Sequence, residues 1–236
     1  MTHGMVCAPQ PETVDAGLDV LREGGNVMDA AIAAALVQTV VDPQMCGIAG
    51  FGSMQVYRND TREHTYIDFH GRAPLSTRPE MWKHLIVREC DDGFGFVLEG
   101  QVNEIGYTSM TTPMTLKAFA EGLERFGTRT LAELIQPAIS YCEDGFTVRP
   151  KVHGFWLQPA QNGRIDRVRV TSEFPAAAKI YRKGDGSLHN VGDVLKNPDM
   201  GKTYRRIADA GVKDFYTGEI AKAIDADMRA NGGHIT

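Results

Sequence analysis

The sequence predicts an α+β or α/β protein with many helices and few strands. Two helical runs around a Gly-Gly turn open the chain, one pair of strand-like runs follows, and helical spacings dominate from Pro113 onward.

In the first run, apolar residues recur at Val14, Leu18 and Leu21, the spacing of one face of a short helix. Gly24-Gly25 stops it, because glycine accepts the left-handed backbone of a helix end. Asn26 is placed to cap a second helix whose interior is almost wholly alanine and aliphatic. A helix so apolar on most sides belongs deep in a core that other elements approach closely. Residues 47–72 read as a hairpin: Phe51, Met54, Val56 and Tyr57 lead to a turn at Asn59-Asp60-Thr61, and His64 to Phe69 returns. Met114, Leu116, Phe119, Leu123 and Phe126 then have helical spacing and end at Gly127. Leu131, Leu134, Ile135 and Ile139 form another helical run that ends near Gly145. The polar stretch 151–197, with Arg164, Arg167 and Arg169 clustered, reads as short helices and turns. Residues 198–210 and 217–230 read as further helices, the last closed by Gly232-Gly233.

A chain of 236 residues with 42% hydrophobic content can bury a sizeable core. The net charge of -5 gives no basic footprint, which argues against a nucleic-acid partner. No apolar run reaches the ~18 residues of a membrane span. The most apolar stretch, 30–41, is too short and wrongly flanked for a signal peptide, which leans the expected location towards the cytoplasm. Cys7, Cys46, Cys90 and Cys142 are widely spaced, with no C-x-x-C pair, so neither zinc nor a disulfide framework is expected. His153, His189 and His234 lack ligand spacing, and Glu89, Asp91 and Asp92 read as a solvated cluster.

The order of motifs is more specific than any one of them. Gly4-Met5-Val6, Ala16-Gly17, Leu21-Arg22-Glu23-Gly24-Gly25-Asn26 and Asp29-Ala30-Ala31 are followed by Gly47-Ile48-Ala49-Gly50-Phe51-Gly52 and by the loop 68–74. Gln136-Pro137-Ala138, Asp144-Gly145-Phe146, Phe215-Tyr216-Thr217-Gly218 and Gly232-Gly233-His234-Ile235-Thr236 complete the series. This series closely resembles the N-terminal region of the gamma-glutamyltranspeptidase family, and the resemblance runs through nearly the whole chain. It implies the four-layer αββα sandwich of N-terminal-nucleophile hydrolases, of which residues 1–236 would form a large-subunit portion. It also implies a precursor that cuts itself, so that a new N-terminal threonine becomes the nucleophile and its own amine the base. The family's processing threonine lies beyond the position matching Thr236, so the nucleophile is expected outside this chain, on a small subunit from the same precursor. Thr2, exposed if the first methionine is trimmed, is a weak internal rival. No cofactor or metal is called for, and a higher oligomer stays open.

The loop Asp68-Phe69-His70-Gly71-Arg72-Ala73-Pro74 is the strongest candidate for substrate contact. In the transpeptidases it resembles Asp-Phe-Arg-Glu-x-Ala-Pro, whose arginine grips the substrate's α-carboxylate. A guanidinium suits that task because its planar fork makes two parallel charge-assisted hydrogen bonds. Here His70 stands at the arginine's position and Arg72 comes two residues later, a form that resembles the acylase-like and small-amide hydrolase branches. Arg72 is read as a carboxylate ligand or as a structural anchor of the loop. His70 is read as a polar substrate contact or an ordinary edge histidine, with Gly71 between them. Gly47, Gly50 and Gly52 suit either the floor of a pocket or close packing on the opening helix. Thr112-Pro113-Met114 replaces the family's usual Val-Pro-Gly, so the neighbouring wall is expected to differ.

The resemblance therefore implies an amide-bond hydrolase or acyltransferase that works through an acyl-enzyme, with hydrolysis of a small carboxylate-bearing amide favoured by the displaced arginine. A transpeptidase acting on glutathione and a non-catalytic relative or fragment remain the alternatives.

Overall fold

The computed structural model describes residues 4–236; Thr2 lies outside them. In chain order the elements are α1 (Pro11–Arg22), α2 (Val27–Val41), β1 (Gly52–Arg58), β2 (Glu63–Phe69), β3 (Ile86–Glu89), β4 (Phe96–Leu98), α3 (Thr115–Phe126), α4 (Leu131–Leu134) and α5 (Gln136–Glu143). They continue with β5 (Phe146–Thr147), α6 (Pro150–Trp156), α7 (Arg167–Ser172), α8 (Pro175–Tyr181), β6 (Val194–Leu195), α9 (Pro198–Ala210), α10 (Val212–Thr217) and α11 (Glu219–Ala230). The strands form three separate antiparallel pairs, β1-β2, β3-β4 and β5-β6. No described helix is long and apolar enough to cross a membrane. The chain divides into two compact units, the first holding the residues up to Arg72 with 112–145 and 197–221.

The first unit is built around α2. Ile32, Ala33, Leu36 and Val37 are at most 1% exposed, as expected for a helix apolar on most sides. Asn26 caps it as expected, its side-chain oxygen accepting from Met28 N–H and Asp29 N–H, while Asp29 returns a bond to Asn26 N–H at 2.9 Å. Gly24, at φ 89°, ends α1: Gly25 N–H reaches Val20 O and Gly24 N–H reaches Leu21 O. The buried face of α1 keeps Leu21 of the expected stripe but is otherwise rotated. Val14 and Leu18 are only half-buried, whereas Thr13, Ala16, Gly17, Val20 and Leu21 face inward. Small residues win there because the helices nearly touch: a Cβ on Gly17 would lie 3.2 Å from the Ala30 carbonyl.

The hairpin forms as read, with Gly52 opposite Phe69, Arg58 opposite Glu63, and a loop at 59–62. The helical run after Gly127 is broken in two at Ile135, because Pro137 has no N–H to continue the ladder and instead starts a new helix. The last helix starts two residues later than read. Thr217 ends α10, Gly218 is extended, and α11 begins at Glu219. Tyr204 on α9 is fully buried and hydrogen-bonds Thr39 of α2.

The second unit holds α6, α7 and α8, the short helices expected for 151–197, together with the pairs β3-β4 and β5-β6, which the sequence reading did not foresee. The clustered arginines act as pins. Arg164 bonds Glu104 at 2.9 Å and the Phe94 carbonyl at 2.5 Å, Arg167 covers the Phe155 ring at 4.9 Å, and Arg169 pairs with Glu173. Gly232, at φ 70°, closes α11 as read, with Gly233 N–H bonded to Met228 O at 2.7 Å.

Candidate functional site

The hairpin positions the candidate loop. Phe69 ends β2 and packs its ring so close to Gly52 that a Cβ there would lie 3.1 Å from it. The chain then turns under the control of Asp68. Its Oδ1 accepts from His70 N–H at 3.0 Å and lies 2.9 Å from His70 Nδ1. The His70 amide, then its ring, hold the Asp68 carboxyl below the usual aspartate range despite partial desolvation. The Arg72 charge acts in the same direction. His70 is exposed, and its ring centre lies 6.1 Å from that of Phe51.

Arg72 is fixed by its backbone. Its carbonyl accepts Thr112 N–H at 2.9 Å, and the two residues form an isolated bridge. The guanidinium is exposed and makes no hydrogen bond or ion pair among the described residues. The backbone thus holds the loop while the side chain stays available, so the anchoring is done by a carbonyl that any residue would supply.

Beside Phe69 opens a cleft of about 410 Å³, lined from α2 by Ala35, Gln38 and Thr39 and from α3 by Thr115 and Phe119. The remaining wall is the segment from Met45 to Ser53, with both Gly50 and Gly52 on it. The two readings of the glycines therefore meet at Gly50. It lines the cleft, and its carbonyl caps α3 by accepting from Met114 N–H at 3.0 Å and Thr115 N–H at 3.1 Å. The close packing is against α3 and Phe69 rather than α1. His70, Gly71 and Arg72 do not line the cleft; they follow directly on Phe69, which does.

Sequence reasoning missed Met45, Phe69, Phe119 and the α2 face as cleft residues. The available signal was the pair of large apolar residues, Met45 and Phe51, that bracket Gly47 and Gly50. Both stay more than half exposed, at 57% and 59%. Cys46 also lines the cleft, with its thiol held in the protonated form. Burial, aided by the nearby Asp42 charge, pushes its thiol up to about 12. Among the described residues no group of three or more His, Cys, Asp or Glu side chains could hold a metal ion.

Comparison with known proteins supplies the family. Residues 13–236 match the family description Gamma-glutamyltranspeptidase. The glutathione hydrolase proenzyme of Bacillus subtilis (strain 168) is 33% identical over 233 residues, which make up 99% of this chain and 37% of that protein. The Acylase ACY 1 proenzyme of Pseudomonas sp. (strain SE83) is 33% identical over 237 residues, 99% of this chain and 40% of that one. Among solved structures, Helicobacter pylori gamma-glutamyltranspeptidase superposes with a TM-score of 0.86 at 28% identity, covering 100% of this chain and 62% of that chain. Cephalosporin acylase from Bacillus halodurans superposes at 0.79 with 30% identity, covering 96% of this chain and 39% of the acylase. The chain thus spans well under half the length of these curated relatives, all named as proenzymes of hydrolases or acylases. With a family match over nearly its whole length, the chain belongs to the gamma-glutamyltranspeptidase family.

Proposed function

We propose that this chain is the large-subunit portion of a self-processing amide hydrolase or acyltransferase, acting on a small amide that carries a carboxylate. The observation that carries the reading is Arg72, whose guanidinium is exposed and unpaired among the described residues while its backbone is held at Thr112. Such a group binds a substrate carboxylate without first breaking an internal ion pair. The nucleophile belongs to a threonine outside these residues, at the start of a small subunit. Its hydroxyl oxygen adds to the amide carbonyl, and its proton passes to the threonine's own amine. The C–N bond then breaks, the leaving amine takes the proton, and water or a second amine accepts the acyl group. The small subunit would also supply the strands that complete a four-layer sandwich around the hairpin β1-β2.

The test is intact-mass spectrometry with N-terminal sequencing of protein produced from the complete gene, followed by turnover of amide substrates. Two chains, one beginning with threonine, and release of amine from a carboxylate-bearing amide are expected. A single uncut species without turnover would leave a binding or assembly role. The glutathione hydrolases among the relatives favour a second reading, in which γ-glutamyl amides are the substrates. Comparing a γ-glutamyl anilide with other acyl anilides on the same preparation separates the two.

A further inference from the structure

We infer that the cleft beside Phe69 is a pocket for an apolar, uncharged acyl group, with Phe51 as its principal determinant. This deepens the amide-enzyme reading and rests on it for the word acyl. None of the 13 side chains or backbones lining the cleft is that of Asp, Glu, Lys, Arg or His. Its walls carry the aromatic rings of Phe51, Phe69 and Phe119 with the Met45 thioether. Several of its polar groups are already engaged. Thr39 donates to the Leu36 carbonyl and bonds Tyr204, and the Cys46 thiol stays protonated beside the Asp42 carbonyl.

A charged group entering such a cleft would lose its hydration without gaining a counter-ion. A γ-glutamyl group brings both an ammonium and a carboxylate. Arg72 and Asp68 both stand outside the cleft lining, so neither charge finds a counter-ion within it. An apolar acyl group, by contrast, packs on the Phe51 ring and the Met45 thioether without that cost. A volume of about 410 Å³ lies in the usual range for small-molecule sites.

A matched pair of dipeptide-like probes tests this by NMR titration of the protein produced from the complete gene. N-Phenylacetylglycine and γ-glutamylglycine share the amide and the terminal carboxylate and differ in the charge of the acyl group. The expected result is saturable binding of N-phenylacetylglycine, at least tenfold tighter than γ-glutamylglycine. Phe51→Ala weakens N-phenylacetylglycine about tenfold, and Met45→Ala weakens it by a smaller factor. Thermal melts of the variants, run beside the titrations, separate a lost contact from lost folding. Equal or tighter binding of γ-glutamylglycine, no phenylacetyl binding, or no effect of Phe51→Ala overturns the inference. Phenylacetamide, which lacks the carboxylate, separates the two readings. If it binds in a Phe51-dependent way while Arg72→Ala leaves N-phenylacetylglycine unaffected, the carboxylate role of Arg72 fails and the apolar cleft stands.

Discussion

Thr128 gives Asp29 two hydrogen bonds at once, from its backbone N–H at 2.8 Å and from its hydroxyl at 2.5 Å. Asp29 is completely buried, and the Arg129 and Asn26 amides complete its shell. One carboxylate thus ties the start of α2 to the turn after α3.

Burial alone would raise the Asp29 pKa, but the Thr128 hydroxyl and the backbone amides outweigh it and hold the carboxyl below the ordinary aspartate range. A carboxyl whose folded pKa is depressed contributes stability that is complete above its unfolded pKa and lost as pH falls through the folded one. Asp29→Ala, which leaves several buried donors without a partner, is expected to cost about 3 kcal/mol near neutral pH. The gap between parent and variant should narrow as pH drops below the ordinary aspartate range. Urea melts across pH 2 to 7, taken as roughly spanning that range, check both parts, and a gap that stays constant would refute the assignment.

Gly218 allows α10 to hand over to α11. A Cβ there would sit 2.3 Å from Asp214 Oδ1 and 2.7 Å from Asp214 Cα, so the backbone itself must move. Asp214 Oδ1 also accepts Glu219 N–H at 3.1 Å, and Arg206 grips both Asp214 oxygens. The Arg206 fork is the main cause that lowers the Asp214 carboxyl to about 2. Gly218→Ala is therefore expected to destabilise by about 2 kcal/mol, read as a lower urea midpoint, even though alanine favours helices. An unchanged midpoint would show that the junction absorbs a methyl group without strain.

Local signals were legible wherever one residue controls a backbone. Asn26 as a cap, Gly24 as a stop and the turn before β2 all follow from side-chain chemistry within a few residues. The break at Ile135 was also within reach, since Pro137 states it; the apolar spacing across it concealed the stop. The α1 face was not legible, because spacing ranks Val14 and Leu18 above Ala16 and Gly17, while helix–helix distance decides the contest. The cleft was half-legible. Its glycines stood out, but Phe69 and Phe119 come from elements 50 residues apart in sequence, and only the fold brings them to one wall. Arg72 in the loop was plain in the sequence, whereas its backbone anchor at Thr112 was not.

The four thiols should separate by accessibility. Cys7 is exposed, while Cys90 and Cys142 are buried and Cys46 is half-buried with its thiol pushed up to about 12. Burial raises Cys142 to about 12 as well. Titration with a chromogenic disulfide at pH 8, a condition chosen as about one unit above neutral, should show one fast thiol and three slow ones. Cys7→Ser removes the fast phase. A fast phase that persists in this variant would mean that Cys46 is more reactive than its surroundings imply, and would reopen it as a group of the cleft.

Arg72 offers the sharpest separation of stability from function. Its side chain makes no bond that Arg72→Ala would break, and its carbonyl remains to receive Thr112 N–H. Thermal and urea stability should therefore stay within about 0.5 kcal/mol of the parent. Losing a charge-assisted pair to a substrate carboxylate costs roughly 1.5–3 kcal/mol, which corresponds to a rise in KM of roughly tenfold to a hundredfold. Arg72→Lys keeps the charge but loses the planar fork, so it should recover only part of that loss. Steady-state kinetics on processed protein from the complete gene, run beside melts of the same samples, reads both quantities. A variant that melts well below the parent would instead make the guanidinium a structural anchor, by contacts that form only in the complete protein.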